Sequence, residues 1–275
     1  MSSFVQYEPK LSVVVPAFNE EATVADVVRR LLSVPALLEI IVVDDASTDR
    51  TFSVVQSLQA STPQLRLLRH PHNMGKTAAL KTGFAASAGE IVIVQDADLE
   101  YDPSEIHGVI QPILDGVADV VYGSRFLVRK AARVLYYYHY LANKTLTCFS
   151  NLLTNVNFSD VETGYKAFRG DIIRDMIITS SGFGFEIEVT AKICKLRCVC
   201  FEVPISYYGR TYHQGKKIGV PDGIAAFWYT IQYNLFTSVK DSFRTLHSPS
   251  HLEQSRSRWA AKPQPKAREA SSPSA

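Results

Sequence analysis

Cysteine is scarce. Four in 275 residues cannot make a disulfide scaffold, and this usage suits a reducing, cytoplasmic setting. Long apolar runs are scarce too. The notable uncharged stretch, Gly223 to Val239, is 17 residues long and contains Thr230, Gln232, Asn234, Thr237 and Ser238. A spanning helix needs about 20 mostly apolar residues, so none is expected here. Met1 to Lys10 has no basic stretch leading into an apolar one, so no secretory leader is expected. A dominant charge is also missing. The net is +2, and it is unevenly placed: residues 244–275 carry six Lys/Arg against two Asp/Glu, leaving the body at −2. A nucleic-acid binder would normally carry a basic field over its folded part, so that class is set aside.

Two glycine signatures are absent as well. The first strand-to-helix turn reads Pro16-Ala17-Phe18-Asn19-Glu20, without the glycines of a dinucleotide turn, which argues against a nicotinamide cofactor. Gly75-Lys76-Thr77 looks like the end of a phosphate loop, but five residues before Gly75 stands His70 rather than glycine. Lys76 beside a helix N-terminus can still meet a phosphate. Cys194, Cys198 and Cys200 lack zinc-site spacing and read as buried structural residues. His70, His72 and His139 read as ordinary polar positions rather than ligands.

What is present is a core and an alternating pattern. Hydrophobic residues make up 46% of the chain, enough for a large globular core and too many for a disordered one. Strands are expected at Leu11–Val15, Ile40–Val43, Leu65–Leu68, Ile91–Val94 and 117–122. Helices are expected between them, over 20–32, to about Ala60, over 77–88 and from Asp102-Pro103. This is an α/β pattern, a mainly parallel sheet with helices on both faces. The second half is less regular: an aromatic helical stretch over 134–153, a polar loop 160–169 entering a strand, a helix at Phe185–Leu196, a strand at 198–203 and a helix at Gly223–Leu235. From about Ser242 the Ser/Pro/Lys/Arg-rich chain reads as a flexible tail.

In parallel sheets ligands bind beyond the carboxyl ends of the strands. Those ends carry Asn19 and Glu20, Asp44 and Asp45, Asp96 and Asp98, and Ser124 and Arg125. Asp96-Ala97-Asp98 places two carboxylates on the same side of the chain. Hard oxygen ligands so placed favour Mg2+ or Mn2+ and leave positions open for phosphate oxygens. A second unusual segment is Tyr207-Tyr208-Gly209-Arg210-Thr211-Tyr212-His213-Gln214-Gly215-Lys216-Lys217, which reads as a clamp for an anion, against the plain alternative of a solvated loop.

The runs Val15-Pro16-Ala17-Phe18-Asn19-Glu20, Val42-Val43-Asp44-Asp45-Ala46-Ser47, Asn73-Met74-Gly75-Lys76, Asp96-Ala97-Asp98 and Gly123-Ser124-Arg125 together resemble the family 2 inverting glycosyltransferases, and most closely the polyprenyl-phosphate (dolichol-phosphate) mannose and glucose synthase branch. The resemblance covers about residues 10–240. It implies the Rossmann-like GT-A fold over 1–241, with a nucleotide-binding half (about 10–125) and an acceptor half (about 126–241), followed by the tail 242–275. It implies an NDP-sugar donor such as GDP-mannose or UDP-glucose, a divalent metal, and a polyprenyl phosphate acceptor. By position, Pro16, Phe18 and Glu20 would line the nucleotide pocket, with Lys76 and Ala97 also on the donor side. Asp45, with Asp44, would contact the base. Asp96 and Asp98 would hold the metal-diphosphate, with Glu100, where many relatives have Gln, as a further metal ligand. Arg125, Arg210 and Lys216 would contact the diphosphate and the acceptor phosphate. Glu162-Thr163-Gly164-Tyr165-Lys166 matches a family segment near the acceptor side.

Other readings stay open at this level. A phosphate acceptor is already largely ionised near neutral pH and needs no strong base. A sugar hydroxyl or other alcohol acceptor would need one, and Asp160 and Glu162 are the candidates. A nucleotidyltransferase would use similar acids but lacks its glycine loop here. A non-catalytic binding module is disfavoured by the intact Asp96, Asp98, Arg125 and Arg210. The stretches 134–153 and 223–239 and the basic tail leave peripheral contact with the cytoplasmic face of a membrane open.

Overall fold

The computed structural model describes residues 10–127, 136–209 and 220–260. Seven strands form one sheet: β1 (Leu11–Ala17), β2 (Leu37–Asp44), β3 (Leu65–Arg69), β4 (Ile91–Val94), β5 (Val120–Ser124), β6 (Lys166–Arg169) and β7 (Cys200–Pro204). Their order is β3-β2-β1-β4-β6-β5-β7. All pairs are parallel except those of β6, which runs antiparallel between β4 and β5. β1, β2 and β4 are near-continuous Val/Ile runs because both faces are covered.

The helices are α1 (Val24–Leu31), α2 (Thr51–Gln59), α3 (Lys76–Ala86), α4 (Ile106–Leu114), α5 (Tyr137–Thr154), α6 (Gly170–Asp175), α7 (Phe185–Leu196), α8 (Val220–Leu235), α9 (Val239–Ser242) and α10 (Pro249–Ala260). α1 buries Val24, Val27, Val28 and Leu31, one stripe of a 3.6-residue period. Alternate residues of β1 serve two cores. Val13 and Val15 join α1 and α4, while Val14 joins Leu80 and Phe84 of α3 with Phe185 of α7. α3 lies close on β1 because Gly83 has no side chain; a Cβ there would stand 2.3 Å from Val14 Cγ1.

The reversal of β6 has a consequence for function. An antiparallel strand begins at the end where its parallel neighbours finish. Residues 160–165, which lead into β6, therefore lie beside the carboxyl ends of β4 and β5. The Gly123 N–H donates to the Tyr165 carbonyl there.

Two expectations need correction. The chain does not leave the body at Ser242. Phe243 and Leu252 are fully buried, Leu246 nearly so, and α10 lies on the body with Arg256 paired to Asp119. A composition poor in apolar residues hid three apolar anchors that fall singly into the core. The second concerns the aromatic stretch 134–153, which by its composition reads as core but over α5 is not mainly core. Tyr137, Tyr138 and Leu152 are largely exposed, as are Ile224, Trp228 and Phe236 near or on α8. Phe149 and Phe227, with ring centroids 5.9 Å apart, join the two helices. Among the described residues no helix is long and apolar enough to cross a membrane.

Candidate active site at the strand tips

Three strand tips turn through left-handed residues that are not glycine: Asn19 (φ 54°) after β1, Ala46 (φ 58°) after β2 and Leu99 (φ 60°) after β4. Such positions cost energy and cluster where surrounding contacts enforce them. Here the contacts are side chains. Asn19 Oδ1 accepts the Thr48 N–H at 2.8 Å, and the Asn19 N–H donates to Ser47 Oγ at 3.0 Å. The Glu20 N–H donates to Thr51 Oγ1, and the Arg50 N–H to Glu21 Oε2. The β1 and β2 tips are thereby laced into one shelf. Pro16 and Phe18 are half-buried on it; Glu20 is buried and accepts from the Thr23 hydroxyl at 3.2 Å.

The paired acids after β2 divide their work. Asp44 is fully buried; its Oδ1 accepts the Ser47 N–H. Arg69 Nε stands 3.2 Å from Asp44 Oδ2 but outside hydrogen-bonding direction, so that oxygen has charge contact without a donor. Asp45, expected to meet the base, is turned inward instead. Its carboxylate accepts the Met74 and Gly75 N–H groups at 2.9 and 2.7 Å and faces His70 Nδ1 at 2.7 Å. It braces the left-handed turn at Gly75 (φ 87°) that opens α3. The position that breaks the phosphate-loop pattern, His70, is the other half of that brace.

The third tip carries Asp96-Ala97-Asp98. Lys76, expected on the donor side, faces two carboxylates. Its Nζ lies 2.9 Å from Asp96 and 3.2 Å from Glu186 at the start of α7. Burial acts to depress this ammonium, but Asp96 and Glu186 outweigh it and hold Lys76 well above the ordinary lysine value. Gly164 closes over the pair; a Cβ there would stand 2.8 Å from Asp96 Oδ2. Ala97 is buried in the core, so its side chain does not line a nucleotide pocket. Asp98 is half-exposed and accepts the Glu100 N–H at 3.1 Å.

Glu100 turns toward the second half. Its carboxylate accepts the Tyr207 hydroxyl at 2.8 Å, and its carbonyl accepts the Tyr208 N–H at 3.0 Å. Tyr101 stacks on Tyr165 at 5.1 Å and leans on Tyr207 at 5.5 Å. The start of the basic segment is thus pinned to the Asp-Ala-Asp turn. Arg210, Lys216 and Lys217 lie outside the described residues.

Arg125 is already engaged. Its Nε and Nη2 donate to the two oxygens of Asp160, both at 2.7 Å. The guanidinium also lies 5.3 Å from the Tyr207 ring. Burial opposes the charge on both partners. Even so, Asp160 raises Arg125 and Arg125 lowers Asp160, so the pair stays ionised. A carboxyl held that low is a poor base. Glu162 is the opposite case: burial first, then the charge of Glu186, push it up to about 7. Burial also brings Lys166 down to about 8. Glu186 was not anticipated from sequence; its signal is Gly184-Phe185-Glu186, an acid in the first turn of a helix.

Among the described residues no three His, Cys, Asp or Glu form a ready-made metal cage. The donor set still suits a hard cation that takes one or two carboxylates and completes its shell with substrate phosphates, with Asp96 and Asp98 as its holders. Glu100, the further expected ligand, has its Oε2 engaged by the Tyr207 hydroxyl. The charges point the same way. Lys76, Arg125 and Lys166 each already face carboxylates, so a diphosphate entering here needs added positive charge.

The residues of this sheet have relatives. Residues 12–176 match the profile of Glycosyl transferase family 2. The dolichol-phosphate mannosyltransferase of Pyrococcus furiosus is 29% identical over 215 residues, 76% of this chain and 60% of that protein. The polyprenol monophosphomannose synthase of Mycolicibacterium smegmatis is 27% identical over 214 residues, 75% of this chain and 80% of that one. The chain therefore spans less than two thirds of the first relative and four fifths of the second. Glucosyl-3-phosphoglycerate synthase from Mycobacterium tuberculosis, solved with Mn2+, uridine diphosphate and glucosyl-3-phosphoglycerate, aligns at TM-score 0.61 and 20% identity over 82% of this chain and 80% of that one. That likeness shows the fold, a GT-A sheet. With a match over more than half its residues and acidic tips gathered at one end of the matched sheet, the chain belongs to glycosyl transferase family 2.

Proposed function

We propose that this protein transfers a hexose from an NDP-sugar, of the GDP-mannose or UDP-glucose type, to a polyprenyl phosphate with inversion at the sugar's C1. One observation carries the reading: the Asp96–Asp98 turn and the root of the basic segment are tied together through Glu100, Tyr207 and Tyr208. A donor diphosphate at the acids and an acceptor phosphate at the cations would then lie next to each other. The names of the Pyrococcus and Mycolicibacterium relatives support a lipid-phosphate acceptor.

In this reading an oxygen of the acceptor phosphate forms a bond to C1. The bond from C1 to the diphosphate oxygen breaks, and its electron pair leaves with the nucleotide. Bound at Asp96 and Asp98, Mg2+ or Mn2+ would neutralise the departing diphosphate. The shelf of Pro16, Phe18 and Glu20 positions the nucleotide, and buried Asp44, accepting the Ser47 N–H, supports the β2 side of that shelf. Arg210 and Lys216 hold the two anionic groups together. Arg125, fixed by Asp160, presents a charge that cannot be lost at neutral pH.

The exposed aromatic faces of α5 and α8 would rest on the cytoplasmic surface of the membrane that holds the acceptor. The test is a donor screen with Mg2+ or Mn2+ in which polyprenyl phosphate competes with soluble alcohols. Transfer to polyprenyl phosphate is expected; transfer only to a soluble alcohol rejects the lipid reading. Asp98→Asn is expected to abolish turnover, and an unchanged rate would return the chain to a binding role.

A further inference from the structure

Two neighbouring carboxyl groups near this end of the sheet, Glu186 and Glu162, have no task in that reaction. Glu186, 5% exposed, is held by Lys76 at 3.2 Å. Glu162 stands in the loop before β6, and its Oε1 is buried with no hydrogen-bond donor. Few such unpaired atoms survive in native structures without a reason.

The groups facing Glu162 come from several elements: Glu186 of α7, Lys166 of β6, Arg125 after β5, and Asp160 of its own loop. None donates to Oε1. Arg125 is spent on Asp160, and Lys166 on the carbonyls of Val161 and Thr163. The chemistry narrows what could complete the site. An anion is repelled by two carboxyls. The ammonium of Lys76 already stands on Glu186. A neutral hydroxyl, which donates one proton and accepts another, suits both groups.

Position names the source of that hydroxyl. Lys76 Nζ bridges Asp96 and Glu186, so Glu186 is one ammonium away from the acid assigned to the donor diphosphate. The hexose hangs from that diphosphate. Gly164, two residues after Glu162, packs against the same Asp96 and Lys76 and so ties the Glu162 loop to that acid.

We propose that Glu162, with Glu186 beside it, receives hydroxyl groups of the donor hexose and so selects among nucleotide sugars. This rests on the donor reading given above. The elevation of Glu162 to about 7 agrees with it, because a carboxyl poised there can both donate to and accept from a hydroxyl.

The experiment is a cycle between enzyme and donor. Binding of GDP-mannose or UDP-glucose, whichever the wild type takes, and of its 2-, 3-, 4- and 6-deoxy analogues is measured by calorimetry, and kcat/KM is measured alongside. Wild type should bind one analogue about 10- to 100-fold more weakly than the parent. Glu162→Leu should bind the parent weaker by a similar factor, yet lose less than about threefold on that same analogue. Glu162→Gln, which keeps an acceptor oxygen, should retain most of the discrimination. An equal loss on every donor, as a general base or a folding defect would give, overturns the inference; so does no loss on any donor. Should Glu162→Leu fail to fold, Glu162→Asp carries the same cycle. Binding without transfer to polyprenyl phosphate overturns the acceptor reading alone. A wild type that binds no nucleotide sugar overturns both.

Discussion

The two ends of the sheet use the same chemistry to different effect. Where β5 begins and the antiparallel β6 ends, Asp119 accepts from Arg169, from Arg256 of α10 and from the Val199 N–H. That carboxylate is saturated by groups of the chain itself. At the carboxyl ends, Arg125 and Asp160 make a similar pair, but around them the bonding is incomplete. Asp44 Oδ2, Gln95 Oε1 and Glu162 Oε1 are buried without a donor, and three tip residues sit in the left-handed region. A satisfied buried network holds structure together. An unsatisfied one leaves polar atoms to be met by water or by a ligand, as the proposed donor site requires.

That contrast can be broken by mutation. Asp98→Asn should give the largest effect, a fall in turnover on the order of a hundredfold or more with an unchanged melting temperature. A comparable loss of stability would instead mark the acid as structural. Asp160→Asn strips the partner from buried Arg125 and should destabilise the fold by about 3–5 kcal/mol in denaturant unfolding, besides lowering activity. At the opposite end, Arg256→Ala leaves Asp119 still paired with Arg169. A smaller cost of about 1–2 kcal/mol is expected there, with kcat/KM intact. If Arg256→Ala impairs catalysis as much as Asp160→Asn does, the two ends are not distinct.

The pH dependence sharpens the same point. Glu162 is raised from 4.5 to about 7, so the folded chain binds more protons than the unfolded chain in that window. Stability from this group is present below 4.5 and is lost as pH rises through about 7. Glu162→Gln should therefore gain stability relative to wild type between pH 5 and pH 8; a parallel pair of curves would contradict the buried carboxyl. The smallest effect is expected on the α5/α8 face. Replacing Tyr138 and Trp228 by Ser should reduce recovery with floated liposomes several-fold without altering transfer to detergent-dispersed acceptor.

Much of the first half of the sheet was legible in the residues. Buried parallel strands announce themselves as Val/Ile runs, and the acids Asp96 and Asp98 follow such a run directly. Asp44 and Asp45 look alike in sequence and both are buried; that Asp45 braces His70 and the Gly75 turn, 25 and 30 residues away, is not a local property. Lys76 is similar: a lysine at a helix start does not disclose its pairing with Glu186, more than a hundred residues later.

The local pattern alone determined the alternating sheet, the acidic tips and the family, because hydrophobic period and short motifs are properties of neighbouring residues. Only the tertiary structure decided which charges remain available. Pairing Arg125 with Asp160, Lys76 with Glu186 and Arg256 with Asp119 requires the antiparallel entry of β6, the start of α7 and the return of the C-terminal segment. A charge is neutralised by whatever lies within a few ångströms, and distance along the chain says little about that.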